Sequence, residues 1–312
     1  MFNLKILYNL PIITFALYLY CKSYTIMSAD SNLRKSLKIP KAFLLTAKIL
    51  EVTSSKLAAR FAMKLFTTPV KFKLPKREQE MDANSRQEIT LIPSLNKSIN
   101  VYHLGTGTKK VLLVHGWSGR GTQLCSIADK LVKNGFSTIS FDAPAHGKSS
   151  GKTSDMTEFI ESILILEKQF GPFEYAVGHS LGAMAVLNAV KKGLKIERAV
   201  LIGSGDIIKD IMEDFTQKLG MNIATGSIMI RLFEKKFNQS INNYSAYIAA
   251  QQVTIPVLIF HDEDDADVPV SAAYHIQKNL ANAELIVTKG LGHRKILGDK
   301  NVIKKITEFL LT

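Results

Sequence analysis

The stretch "FEYAVGHSLGAMAVLNAV", residues 173–190, sets a serine between two glycines where an apolar strand pattern gives way to an apolar helix pattern. Gly178-His179-Ser180-Leu181-Gly182 fits G-x-S-x-G, and the strand-to-helix context is what gives that short pattern meaning. The spacing has a steric cause. A serine in a sharp turn between strand and helix needs neighbours nearly free of side chains, and Gly178, Gly182 and Ala183 meet that need. Such a turn lifts the Ser180 hydroxyl to the edge of the sheet. It also leaves the Leu181 N–H at a helix start, aimed at an oxyanion forming nearby.

Outward from this segment, strand and helix patterns alternate from about residue 87. "EITLIPS" and "INVYHLG" read as an opening antiparallel pair. "KKVLLVHG", "FSTISFDAP", "FEYAVGHS", "RAVLIGSG", "IPVLIFHDEDD" and "AELIVTKG" are short runs rich in Val, Ile and Leu, as expected of buried parallel strands. Helical patterns fill 121–134, 155–170, 181–193, 271–280 and 300–311. The alternation predicts an α/β fold, a mostly parallel central sheet with helices on both faces and functional loops at the strands' C-terminal ends. Residues 206–254 interrupt it with a long, helix-prone insert, expected to form a cap over the site.

A serine nucleophile needs a base, and the base needs an orienting acid. His293, in "TKGLGHRKIL", follows the last strand pattern, and Asp265, in "FHDEDDADVP", follows the one before it. In this reading His293 takes the Ser180 proton and returns it to the leaving group, while Asp265 holds the imidazole in the required tautomer. Activity is then expected to fall on acidification, because the base must be neutral.

Five segments in this order resemble the α/β-hydrolase superfamily over roughly residues 87–312. "VLLVHGWSG" is similar to the strand that ends in His-Gly before the oxyanion loop, and "FDAPAHGKSSG" to a D-x-P-G-x-G-x-S turn. "IFHDEDDADVP" is similar to H-G-x-x-D-x-x-V-P, and "GLGHRKIL" to the histidine loop of bacterial esterase-like members; the fifth is the serine turn itself. The resemblance implies Ser180 as nucleophile, His293 as base, Asp265 as acid, and the backbone N–H groups of Trp117 and Leu181 as oxyanion donors. It implies no cofactor and no metal. Two positions depart from the pattern: Ala145 stands where the turn usually has glycine, and Asp262 where glycine usually follows His261. Asp262 enlarges the acidic cluster, so Asp264 is the second choice for the acid, and Asp206, after the strand ending "GSGD", the third. His115 and His146 read as structural, and His179 as a residue packed beside the pocket. "GTGTKK", 105–110, precedes a strand and so does not fit a phosphate loop.

The remaining sequence is an appendage. Residues 1–80 hold 14 Lys+Arg against 4 Asp+Glu, and residues 81–312 hold 26 against 23, so most of the net +13 sits in the first quarter. The main domain is therefore not read as a nucleic-acid binder. Residues 1–26 contain an apolar run, Pro11–Cys21, too short for a comfortable span of ~20 residues. Two readings stand, a short anchor or sequence upstream of a start at Met27. The basic flank after the run favours a cytoplasmic chain, at the inner face of the membrane if anchored, over export. Residues 27–86 read as a basic amphipathic helical arm and linker: 1–67 is a candidate for membrane association, with helix 41–67 alternatively packed on the main domain with its lysines in solvent, and 67–85 is a polar linker or extended arm. Cys21 and Cys125 make no disulfide framework.

The expected function is cleavage of a small-molecule carboxylic ester, thioester or small amide through an acyl-enzyme. The alternatives are a peptidase or lyase on the same fold, or a non-catalytic binding module. The sequence does not indicate an oligomeric state.

Overall fold

The computed structural model describes residues 39–312; the expected anchor or upstream start at 1–26 and the first part of the arm lie outside the described residues. Two helices come first, α1 (Lys41–Thr53) and α2 (Ser55–Phe66), then a short α3 (Gln79–Asn84). The alternating part runs β1 (Arg86–Ile92), β2 (Lys97–Leu104), β3 (Lys110–Val114), α4 (Cys125–Lys133), β4 (Ser137–Asp142), α5 (Met156–Phe170), β5 (Tyr175–His179) and α6 (Leu181–Lys191). It continues with β6 (Arg198–Ile202), α7 (Ile208–Lys218), α8 (Ile223–Phe237), α9 (Ala246–Ala250), β7 (Val257–Asp262), α10 (Ser271–Asn279), β8 (Ala283–Thr288), α11 (Gly292–Lys295) and α12 (Lys300–Leu311).

The eight strands form one sheet in the order β1-β2-β4-β3-β5-β6-β7-β8. The β1 and β2 strands are antiparallel to each other, and β2 is antiparallel to β4. From β4 through β3 to β8 every pairing is parallel. The apolar runs follow from burial on both faces. In β3, Leu112 and Val114 join a core with α5 and α6, while Val111 and Leu113 join a second core with α4 and α12. The same alternation holds in β6, with Ala199 and Leu201 on one face and Val200 and Ile202 on the other. Consecutive apolar residues are therefore required, and an alternating pattern would put polar groups into one core.

The insert forms α7, α8 and α9, and its buried Met212, Met229 and Phe233 belong to the first core. The arm packs on it. Phe66 of α2 lies edge-on to Phe215 and Phe233 at 5.2 and 6.0 Å between ring centroids. Ser54 divides α1 from α2 because its backbone is extended, and its Oγ accepts the Leu57 N–H at the start of α2. Phe43, Phe61 and the alanines 47, 58, 59 and 62 are buried, so one apolar face of the two helices packs inside the molecule. Among the described residues no helix is long and apolar enough to cross a membrane.

Residues 67–85, expected as a polar linker or extended arm, form a strap across the loops after β3 and β4. The Val70 N–H donates to Ser118 Oγ (3.0 Å), Arg120 Nη2 donates to the Phe72 carbonyl (2.6 Å), and Lys71 Nζ donates to the Gly147 carbonyl (3.1 Å). Glu78, 3% exposed, accepts from Thr122 Oγ1 at 2.8 Å. The charges that suggested solvent thus have partners far away in sequence.

Candidate active site

Ser180 sits between β5 and α6 at φ 54°, ψ −119°, a left-handed conformation that is costly for any residue with a side chain. The surroundings enforce it. The Ser180 N–H donates to the Ile202 carbonyl at the end of β6 (2.9 Å). A Cβ on Gly178 would lie 2.6 Å from Ala183 Cα, and one on Gly182 would lie 2.3 Å from the Val114 carbonyl oxygen, so both flanking positions exclude side chains. Gly116 is equally constrained, since a Cβ there would approach Ser180 Cβ to 3.0 Å. The backbone after β3 therefore lies directly against the serine.

That backbone turns at Gly116–Gly119, with the Gly119 N–H donating to the Gly116 carbonyl (3.0 Å) and Ser118 at φ 56°. Gln123 Oε1 accepts the Gly116 N–H (2.8 Å). Trp117 lies within this turn, and Leu181 is the first residue of α6, where no carbonyl of the helix precedes its N–H.

Asp265 and His293 follow β7 and β8 at the same edge of the sheet. His293 Nδ1 lies 2.7 Å from Asp265 Oδ2, with the carboxylate side chain 1% and the imidazole 9% exposed. Asp265 Oδ1 accepts the N–H groups of Asp267 (2.8 Å) and Val268 (2.9 Å). Burial pushes the Asp265 carboxyl up, but the bond and charge of His293 together with these two N–H groups outweigh it and hold the group below its ordinary range. An ionised Asp265 assigns the ring proton to His293 Nδ1 and leaves Nε2 as the basic nitrogen. The ring packs over the start of the β6 loop: a Cβ on Gly203 would lie 3.2 Å from His293 Nδ1. Ser180 is thus anchored on Ile202, and His293 lies over the next residue, Gly203.

The other two candidate acids are engaged elsewhere. Asp264 Oδ2 accepts the Gly290 N–H (3.1 Å). Asp206 pairs with His275 Nδ1 at 2.5 Å and accepts the Tyr247 N–H (3.0 Å), tying the return of the insert to α10. Asp262, in the usual place of glycine, accepts from Thr288 Oγ1 (2.8 Å) and the Leu291 N–H (3.0 Å) and so braces the loop that carries His293.

Three buried histidines support this frame. His115 Nδ1 donates to the Gly116 carbonyl (2.7 Å) and its Nε2 accepts the Ala143 N–H (3.0 Å); burial lowers it to about 4. His146 Nδ1 donates to the Pro144 carbonyl (2.9 Å), and its ring stands edge-on to Trp117 at 5.0 Å. His179 Nε2 donates to the backbone carbonyl of His293 (2.9 Å), and burial followed by the neighbouring His293 lowers it to about 3. A neutral His179 therefore links the serine turn to the histidine loop, a role the sequence does not reveal.

Asp142, at the end of β4 and the start of "DAPAHGKS", carries no sequence signal of its role. It is fully buried and accepts the N–H groups of Gly121 (2.7 Å) and Lys148 (2.7 Å) and the Tyr102 hydroxyl (3.1 Å). Ala145, in the usual glycine place, sits at φ 65°, which explains why glycine suits that position. A cavity of about 140 Å³ lies under the strap, lined among others by Val70, Phe72, Tyr102 and Arg120. Among the described residues no group of three or more His, Cys, Asp or Glu side chains is placed to hold a metal ion.

Two family models match the chain. One described as the alpha/beta hydrolase family covers residues 111–235, and one described as TAP-like protein covers residues 239–312. No curated protein sequence matches. Among solved structures, an esterase of Pyrococcus furiosus aligns with a TM-score of 0.61 at 18% identity, over 78% of this chain and 98% of that one. An esterase of Exiguobacterium antarcticum aligns at 0.58 and 16%, over 73% and 100%. A bromoperoxidase of Bacillus anthracis aligns at 0.57 and 17%, over 72% and 99%. At these identities the likeness is one of fold.

Proposed function

Because the chain belongs to the α/β-hydrolase superfamily, we propose that it is a serine hydrolase cleaving a carboxylic ester, a thioester or a small amide through an acyl-enzyme intermediate. Ser180 is the nucleophile, His293 the base, Asp265 the orienting acid, and the N–H groups of Trp117 and Leu181 the oxyanion donors. The observation that carries this reading is the 2.7 Å His293–Asp265 pair standing over Gly203, the residue after Ile202, to whose carbonyl the strained Ser180 is bonded.

In the first half-reaction Ser180 Oγ attacks the carbonyl carbon while His293 Nε2 takes its proton. Negative charge moves onto the carbonyl oxygen, where fixed N–H donors stabilise it; losing one such donor typically costs ~10² to 10³ in turnover. Asp265 keeps Nδ1 protonated and stabilises the imidazolium without accepting its proton. His293 then protonates the departing alcohol, thiol or amine as the tetrahedral carbon collapses to the acyl-enzyme. Water, deprotonated by the same nitrogen, attacks the acyl carbon, and Ser180 leaves with the proton. No metal or cofactor enters these steps.

The test is fluorophosphonate labelling of wild type and Ser180→Ala, followed by a p-nitrophenyl ester series of increasing chain length. The expected result is labelling that vanishes in the variant and ester turnover that falls by about 10⁴ or more, with an unchanged circular dichroism spectrum. Undiminished labelling of Ser180→Ala would remove the serine from the mechanism. A folded wild type that neither labels nor turns over any ester would favour a binding role for the scaffold.

A further inference from the structure

The buried face of α1 is only half of that helix. Positions 45, 49 and 52 recur at i, i+4 and i+7, which puts them on one side, and this side is turned to solvent: Leu45 is 61%, Ile49 55% and Val52 83% exposed. Phe43 and Ala47 are buried on the other side, against the rest of the fold. Lys41 and Lys48 are exposed and fall among the aliphatic residues at i−4 and i+3 of Leu45. The one acidic residue of α1, Glu51, is turned inward, where its Oε1 accepts the Asn222 N–H (2.7 Å) and the Thr225 hydroxyl (2.8 Å). That bond brings the start of α8 to the Val52 end of α1, and with it Ile223, 70% exposed.

We propose that this face of α1, with Ile223 at its end, is a docking surface for an anionic lipid bilayer. Aliphatic side chains interleaved with lysines suit the boundary between acyl chains and acidic headgroups: the former enter the apolar layer, and the latter stay at the phosphates. Lys41 and Lys48, like Lys56, Arg60 and Lys64 on α2, are all exposed. The chain also arrives at α1 from a basic and apolar stretch, with Lys22, Arg34, Lys35 and Lys38 following the apolar run Pro11–Cys21. A second copy of the chain fits this face poorly. A two-fold contact would set Lys41 and Lys48 against their own counterparts, and four aliphatic side chains are far short of the area a stable dimer buries.

The experiment uses the full chain and sedimenting vesicles of phosphatidylcholine, with and without phosphatidylglycerol. Wild type is expected to bind the anionic vesicles preferentially and to lose binding in high salt. Leu45→Ser/Ile49→Ser/Val52→Ser is expected to lower the partition coefficient about tenfold or more. Turnover of a short soluble ester stays unchanged and reports an intact fold. Val52→Asp, at the most exposed of the three positions, is expected to act in the same direction. Three results would overturn the proposal: wild type that ignores both vesicle types, a triple variant that binds as wild type does, or light scattering that finds a dimer which the triple variant converts to monomer. The second would assign binding to residues ahead of α1, and the third would make the face a protein interface.

Discussion

Ser180 is held in its left-handed conformation by the Ile202 carbonyl on one side and by glycines 116, 178 and 182 on the others. We propose Asp265 as the acid because it is the carboxylate paired with His293, whereas Asp206 is paired with His275. Asp265→Asn is expected to lower kcat for an ester by roughly 10⁴, because the neutral amide no longer fixes the His293 tautomer. Asp264→Asn and Asp206→Asn are expected to retain turnover within about tenfold, measured on the same ester. The proposed nucleophile and base are legible in the sequence because a G-x-S-x-G turn and a histidine after the final strand are local patterns. The spacing to Val268-Pro269 points to Asp265 as the acid but leaves Asp264 and Asp206 as alternatives, because only the turn geometry after β7 separates the directions of the adjacent carboxylates. Asp142 is not legible, because its donors Gly121 and Lys148 lie on different loops. Asp142→Ala, which strands those buried donors, is expected to cost roughly 2–4 kcal/mol in urea unfolding.

Among the elements, strands β3 to β8 and the helices between them are readable because a strand buried on both faces must be apolar throughout. The strap is the opposite case. Lys71, Arg77 and Glu78 look solvated in any local window, yet Glu78 meets Thr122 and Arg120 across more than forty residues of chain. Composition cannot report a partner at that distance. Glu78→Ala, which leaves Arg120 partly buried beside an empty space, is expected to destabilise the fold by roughly 2–4 kcal/mol. Ser118→Ala removes only the bond to the Val70 N–H. Its expected signature is kinetic, a several-fold fall in kcat with little change in KM for a short ester and a melting temperature close to wild type, because Ser118 adjoins the Trp117 N–H.

For the molecule as a whole, His115, His146, His179 and His261 are all buried, and burial holds each below its ordinary range. The unfolded chain binds protons at these sites below about pH 6.5 while the folded chain stays neutral there, so stability present above that pH is lost as the pH falls. Asp142, Glu158 and Asp206, raised by burial, oppose the trend. The histidines outnumber them, and urea unfolding is expected to give at least about 2 kcal/mol less stability at pH 5.5 than at pH 7.5. A flat profile over that range would mean that the histidines are charged in the folded state. The strap carries a different consequence. Because residues 68–78 reach from the first two helices onto the loop beside Ser180, the described stretch ahead of the sheet, residues 39–85, is built into the domain. A protease nick in that stretch is expected to silence the molecule rather than to release an autonomous fragment, which would make limited digestion an off-switch.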